Sequence, residues 1–285
     1  MYKNCCVVLV SYNPSLQILE NVKVLISQVH KILIVDNGSN PDSLRILAEL
    51  DKESSVNIQY NQANLGIATA LNQGVKYASE RGYEWLATFD QDSLAPANYI
   101  KTMIDAYHDC KENESIALIS PRYKTKNGII SFSNTKDEEG LFSIIKTTMT
   151  SGNLVKVDIF NKIGLFDDSF FIDYVDHEFC LRIRSKNLSM IESHFSLLNH
   201  TIGDSTMYNI MGIDIITTGH SAIRRYYKYR NMIKTFKKYY WLEPSIIVDC
   251  FKSLLTEPLK ILFFEKEKFP KIISIIKGVL DGIIE

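Results

Sequence analysis

The stretch Glu84-Trp85-Leu86-Ala87-Thr88-Phe89-Asp90-Gln91-Asp92-Ser93 decides the fold, because an apolar run stops abruptly at two carboxylates one residue apart. Trp85 to Phe89 reads as a buried strand, and anions at its C-terminal end need a cation or strong donors to offset their desolvation. Residues two apart on a strand share a face, so Asp90 and Asp92 can converge on one hard divalent cation, Mg2+ or Mn2+. The competing reading is a solvated turn, where Asp and Ser are common. Working outward, Lys31 to Val35 is a second apolar strand ending at Asp36-Asn37-Gly38, and Cys5 to Val10 is a third, followed by Ser11-Tyr12-Asn13-Pro14. Between them Ile18, Leu19, Val22, Leu25, Ile26 and Val29 keep helical spacing. Asn40-Pro41 supplies an N-cap and an N1 proline for a helix carrying Leu44, Ile46, Leu47 and Leu50. Alternating helices and near-continuous apolar strands predict an α/β fold with a mostly parallel sheet covered on both faces. Ligands of such sheets gather beyond the strand C-termini, where Tyr12, Asp36, Asp90 and Asp92 all fall.

Composition bounds the function. A chain of 285 residues with 46% hydrophobic content can bury a large core, one domain plus a C-terminal elaboration. A net charge of −1 argues against a dedicated nucleic-acid binder. Charge is nevertheless uneven: Arg224, Arg225, Lys228, Arg230, Lys234, Lys237 and Lys238 fall in a stretch without a single acid. The five cysteines include Cys5-Cys6 inside a strand and form no Cys-x-x-Cys pair, so neither a zinc site nor a disulfide framework is expected. That usage, a first strand that leaves no room for a cleavable leader, and no apolar run near the roughly 20 residues of a bilayer span predict a cytoplasmic protein, on or off a membrane surface. Patterning is weakest at 124–150 and 201–219; the second stretch reads as a lid or binding loop, or as simple surface disorder.

Five segments in order carry a resemblance: Val10-Ser11-Tyr12-Asn13; Val35-Asp36-Asn37-Gly38-Ser39; Asn64-Leu65-Gly66-Ile67-Ala68 with Asn72 and Gly74; Phe89-Asp90-Gln91-Asp92; and Asp173-Tyr174-Val175-Asp176-His177-Glu178-Phe179-Cys180-Leu181-Arg182. Together they resemble the family 2 inverting glycosyltransferases of the GT-A fold, with its Rossmann-like sheet, over most of residues 5–235. Phe-Asp-Gln-Asp-Ser with the late acidic motif is most similar to the bacterial rhamnosyltransferase branch that uses dTDP-rhamnose. The resemblance implies transfer of L-rhamnose, or of a UDP-linked hexose or galactofuranose, onto a saccharide or a lipid-diphosphate-linked glycan in surface polysaccharide synthesis. It implies a catalytic domain over 1–220, with a nucleotide half to about residue 120 and an acceptor half beyond it, and a helical region over 221–285.

Inversion needs a general base for the acceptor hydroxyl, and the late motif offers Asp173, Asp176 and Glu178. Asp176 takes the family's catalytic position when Cys180-Leu181-Arg182 is the anchor. Val175 stands where the family has Glu, which leaves tuning of the base to Glu178 or Asp173. Alternatively these acids serve the first turn of a helix over Val175 to Asn187. Asp92 is the expected metal ligand, with Asp90 on the ribose or on metal-bound water. His200, 24 residues after Asp176, is the expected third ligand, or a structural histidine.

For the nucleotide, the resemblance gives Asp36 the N3-H of thymine or uracil and Gln91 a contact beside it. Tyr12 offers a ring to stack on the base or to pack against the core. Asn64 to Gly66 offer backbone N-H groups at a helix entry, Gly74 reads as a close-packing position, and Ser151-Gly152-Asn153 as a sugar-facing loop or a tight turn. At the C-terminal end, Ile272, Ile273, Ile275, Ile276, Val279, Leu280, Ile283 and Ile284 trace one helix face. That face packs on the catalytic domain, forms a homodimer, or lies in a membrane interface beside the cationic stretch. In the last case Arg224, Arg225 and Arg230 would meet a lipid diphosphate; otherwise they form a solvated basic face. The rival functions are a non-catalytic nucleotide-binding module and a nucleotidyltransferase, the latter disfavoured by the lack of a Gly-rich cationic loop near the first strand.

Overall fold

The computed structural model describes residues 2–125, 128–133, 140–199, 206–210 and 213–285. By its contacts the chain divides into two compact units, Met1–Ser169 with Val175–Thr201, and Phe170–Tyr174 with Ile202–Glu285. The first unit runs β1 (Tyr2–Ser11), α1 (Gln17–Ile26), β2 (Val29–Asp36), α2 (Pro41–Leu50), β3 (Val56–Tyr60), α3 (Ile67–Glu80), β4 (Trp85–Asp90) and α4 (Tyr99–Asp109). It continues through β5 (Ile116–Thr125), β6 (Gly128–Ile130), β7 (Phe142–Ile145), β8 (Leu154–Lys156), α5 (Ile159–Ile163), α6 (Val175–Ser185) and β9 (Ser189–Asn199). The strands form one sheet in the order β3-β2-β1-β4-β8-β5-β9-β7, with β6 beside β5. Pairing is parallel from β3 to β4, antiparallel on both sides of β8, and parallel again between β5 and β9.

The parallel half follows from its residues. Cys5 to Leu9 on β1 and Ile32 to Val35 on β2 are buried, as strands covered on both faces must be. Ile18, Val22 and Leu25 turn the stripe of α1 inward. Val29, expected at the end of that stripe, instead opens β2 opposite Tyr2. The helical spacing runs on by coincidence, while a β-branched residue ahead of an apolar run favours the strand. Asn40 caps α2 by accepting the Ser43 N-H at 3.0 Å. Gly74 lets α3 lie directly on β1, since a Cβ there would stand 2.4 Å from Val8 Cγ2. The poorly patterned stretch after Lys124 supplies the short strands β6 and β7.

The second unit contains β10 (Thr206–Ile210), β11 (Ile213–Thr217), α7 (Ala222–Tyr239), α8 (Ser245–Phe264) and α9 (Lys268–Ile284). The described part of the expected 201–219 loop is therefore an antiparallel hairpin, with Tyr208 opposite Ile215. Its strands are too short for their alternation to stand out in sequence. Gly278 and Gly282 bring the backbone of α9 onto α7: added Cβ atoms would lie 2.4 Å from the Tyr226 carbonyl oxygen and 2.7 Å from that of Arg230.

The cationic stretch is α7, and most of its charges meet partners within their own unit. Arg225 is fully buried and pairs with Glu257 and, at 2.7 Å, with Glu265, which also receives Lys271 at 2.9 Å. Arg224 pairs with Asp173, Lys228 with Glu257, and Lys234 with Glu285, while Lys237 donates to the Gly282 and Ile283 carbonyls at the end of α9. Burial alone would raise the Glu257 carboxyl, but Lys228, Arg225 and Lys260 outweigh it and hold it below the usual carboxylate range. The unit also exposes apolar side chains: Val248, Phe251, Leu255 and Leu259 on α8, and Ile273, Ile276, Leu280 and Ile283 on α9. No helix among the described residues is long and apolar enough to cross a membrane.

Candidate functional site

The C-termini of the parallel strands bring Ser11, Asp36 and Asp90 side by side, since Ser11 is level with Asp36 and Val10 with Asp90. Three loops leave this edge, and polar side chains tie them together. The Gln91 amide donates to the Tyr12 carbonyl (3.2 Å) and accepts the Tyr12 N-H (2.8 Å). Asn13, at φ 50°, accepts the Asn40 N-H and donates its own N-H to Ser39 Oγ, both at 2.8 Å. Buried Asp36 accepts from the Ser39 hydroxyl and, at 3.1 Å, from the Ser39 N-H.

Asn37, which sequence reasoning did not single out, organises the next layer. Its side chain donates to Asn64 Oδ1 (3.0 Å) and the Gly66 carbonyl (3.1 Å), and accepts the Leu65 N-H (3.0 Å). Asn64 Oδ1 also takes the Gly66 N-H at 2.9 Å, and Gly66, at φ 86°, begins α3. Gln91 and Asn64 thus spend their amides on building the loops. The Tyr12 ring is not packed into the core; the residue is 48% exposed beside them.

Ser151-Gly152-Asn153 runs beside β4. Ser151 Oγ accepts the Asp90 N-H at 3.0 Å and donates to Ser93 Oγ at 2.8 Å. Gly152, at φ 86°, receives the Tyr99 hydroxyl on its carbonyl at 2.5 Å, and Asn153 donates to the Met149 carbonyl at 2.7 Å. All three are buried or glycine-tight, and the segment supports the strand end that carries Asp90. Asn153 still shares with Asp176 the wall of a small cavity that Thr88, Thr148, Thr150 and Cys180 also line.

Of the three late acids, two are committed elsewhere. Asp173 holds Arg224 through both carboxylate oxygens, and buried Glu178 pairs with Arg182 at 2.7 Å. Asp176, part-exposed on the first turn of α6, accepts only the N-H of His177 (2.8 Å) among the described residues. Tyr123, another residue the sequence did not flag, feels both Asp176 and Asp90. Burial pushes its phenol up, and the charges of Asp176 and Asp90 push it further. Cys180 is likewise raised to about 12, first by burial and then by Asp176. The two carboxylates therefore share one electrostatic neighbourhood.

Asp90 and Asp92 are part-exposed at the end of β4, and no hydrogen bond or ion pair among the described residues engages the Asp92 carboxylate. Hard oxygen donors of this kind fit a divalent cation that keeps positions for water and phosphate. The described residues contain no cluster of three or more metal-ligating side chains. His200, the expected third ligand, lies outside them.

A doubly covered parallel sheet with carboxylates at its C-terminal edge, continued by antiparallel strands, is the architecture of GT-A glycosyltransferases. The profile of the family described as Glycosyl transferase family 2 matches residues 6–164. The chain is 32% identical to "dTDP-rhamnosyl transferase RfbF" of Shigella flexneri, over 99% of this chain and 96% of the relative. The chain belongs to glycosyl transferase family 2 and is a glycosyltransferase. Its fold is similar to S. aureus TarS 1-349 in complex with UDP-GlcNAc (14% identity, TM-score 0.66, 99% of this chain and 81% of that one). It is also similar to GalNAc-T7 with UDP, GalNAc and Mn2+ (13% identity, TM-score 0.64, 99% and 56%).

Proposed function

We propose that this chain transfers L-rhamnose from dTDP-rhamnose, with inversion, to a hydroxyl of a saccharide or lipid-linked glycan, with Asp176 as the general base. The donor reading rests on the near full-length likeness to a dTDP-rhamnosyl transferase. One structural observation carries the assignment of the base: of Asp173, Asp176 and Glu178, only Asp176 keeps its carboxylate out of an ion pair among the described residues. Asp36 and the Tyr12 ring bind the base, and the loop amides around Asn37 shape its floor. Asp90 and Asp92, with His200, would hold Mg2+ or Mn2+. A cation there would supply positive charge to offset that of a departing diphosphate. Asp176 takes the acceptor proton as the hydroxyl attacks from the opposite face.

The test is a panel of dTDP- and UDP-sugars with Mn2+ or Mg2+, following nucleotide release. Turnover confined to dTDP-rhamnose and lost in Asp92→Asn supports the proposal. Preference for a UDP-sugar, or full activity in excess EDTA, refutes the donor or the metal. We further propose that the enzyme works at the cytoplasmic membrane face. The support is the exposed apolar surface of α8 and α9, since the cations of α7 are paired within their own unit.

A further inference from the structure

We infer that Asn21 of α1 is a positioning residue for the cation site, holding the turn that carries Asp90 and Asp92. This inference rests on the reading of those two carboxylates as metal ligands. Asn21 breaks the pattern of its helix. The stripe that α1 buries consists of Ile18, Asn21, Val22 and Leu25, spaced i, i+3, i+4, i+7, and Asn21 is its polar member, 1% exposed. Its Nδ2 donates to the Gln91 carbonyl at 2.6 Å, while its Oδ1 is buried with no hydrogen-bond partner among the described residues. An unpartnered buried acceptor is costly, and a leucine would complete the stripe without that cost. The donated bond is what a leucine cannot supply.

That bond falls at the centre of the metal motif. The carbonyl of Gln91 and the nitrogen of Asp92 belong to one peptide plane, so a bond that fixes the oxygen also fixes where the Asp92 backbone begins. On the other side of the motif, Ser151 Oγ accepts the Asp90 N-H at 3.0 Å and bonds to Ser93 Oγ at 2.8 Å. The Gln91 side chain clasps the backbone of Tyr12, and Leu94 exchanges two backbone hydrogen bonds with Asn199, at 2.9 and 3.1 Å. The turn from Asp90 to Leu94 is therefore pinned from several sides, and Asn21 is the pin between the two carboxylates. All of these groups lie in the first unit. Two short side chains that must each bring an oxygen to about 2.1 Å from one ion tolerate little drift of their backbone. Groups that orient metal ligands are typically worth roughly 10- to 100-fold in metal affinity. Asn21 acts through a peptide and not on a carboxylate itself, which puts it at the lower end.

The experiment compares wild type, Asn21→Leu, Asn21→Ala, Val22→Ala and Asp92→Asn in the full chain. Mn2+ uptake in the presence of dTDP is read from loss of the free-ion signal in electron paramagnetic resonance, and dTDP binding without metal from calorimetry. Asn21→Leu and Asn21→Ala should each weaken Mn2+ binding by about 10-fold while metal-free dTDP affinity stays within about twofold. The Mn2+ concentration that half-saturates nucleotide release should rise by the same factor, with little change in rate at saturating Mn2+. Val22→Ala, which opens a cavity on the same helix and removes no hydrogen bond, should lower the melting temperature and leave Mn2+ binding as in wild type. Mn2+ binding unchanged in both Asn21 variants, or weakened as much in Val22→Ala, overturns the positioning role. Wild-type protein that takes up no Mn2+ with dTDP, or an Asp92→Asn variant that takes it up equally, overturns the metal reading and the role of Asn21 with it.

Discussion

Glu178→Gln separates a structural acid from a catalytic one within a single motif. Glu178 is 1% exposed and its Oε2 lies 2.7 Å from Arg182 Nη2. The amide keeps the shape but removes the charge, leaving the guanidinium buried against neutral acceptors, among them the carbonyls of Ile163 at 3.0 Å and Leu165 at 2.5 Å. Removing one partner of a buried pair costs about 3–5 kcal/mol. Those two carbonyls and the 13% exposure of the Arg182 side chain temper the cost, which we place at about 2–4 kcal/mol. For a unit of this size that is a fall in melting temperature of roughly 5–12 °C. Below the transition, turnover should stay within a few-fold of wild type. Asp176→Asn should do the reverse, melting like wild type while transfer falls by about 10²- to 10⁴-fold. Thermal melts paired with nucleotide release decide the matter. A Glu178→Gln protein that melts normally but has lost transfer would refute the assignment and move the base two residues along.

Gly278→Ala should destabilise the second unit by about 1–3 kcal/mol, because the new methyl meets a backbone oxygen of α7 that no rotamer change can move aside; urea unfolding with an unshifted midpoint would show that α9 does not pack this closely. His220 is held down to about 4 by burial first and then by Arg224, Arg225 and Lys228, against the opposing pull of Asp173. The unfolded chain therefore takes up the proton more readily: this contribution to stability is complete above pH 6.5 and is lost as pH falls from 6.5 towards 4. His220→Asn should flatten that acid limb in a pH series of melts, and an unchanged slope would remove His220 as its source. Vesicle binding, if carried by the apolar faces of α8 and α9, should persist at high salt and fail in Leu255→Glu/Ile276→Glu; release by salt alone would return the argument to charge.

The parallel half of the sheet was legible because each strand is a continuous apolar run that ends in a polar turn, a pattern with few alternatives at this length. Asn40-Pro41 marked α2 and Gly74 marked a close approach for equally local reasons. The hairpin at 206–217 was not legible, since five-residue strands give too few alternations to rise above a loop. The partners of the cationic stretch were not legible, because sequence shows which residues are charged but not what they face. Arg225 finds its partners 32 and 40 residues downstream, in Glu257 and Glu265, and nothing nearby announces them.

The same ambiguity runs through the site, and hydrogen-bonding capacity resolves it. Asn, Ser, Gln and Asp are the residues that bind a nucleotide, and they are also the residues that build turns, so a motif rich in them cannot be divided by type alone. Each acceptor oxygen, however, takes only a limited number of donors. Asn64 Oδ1 is occupied by Asn37 and Gly66, Gln91 by both polar groups of the Tyr12 backbone, and Ser151 Oγ by Asp90 and Ser93. Subtracting such groups leaves the Tyr12 ring and the carboxylates of Asp92 and Asp176 as those with least use inside the chain. Burying polar capacity unspent is costly, and each of these residues is at least partly exposed. An aromatic face, a hard-metal ligand and a base are what the proposed transfer would draw on, so these unspent groups are the ones the proposal uses alongside Asp36.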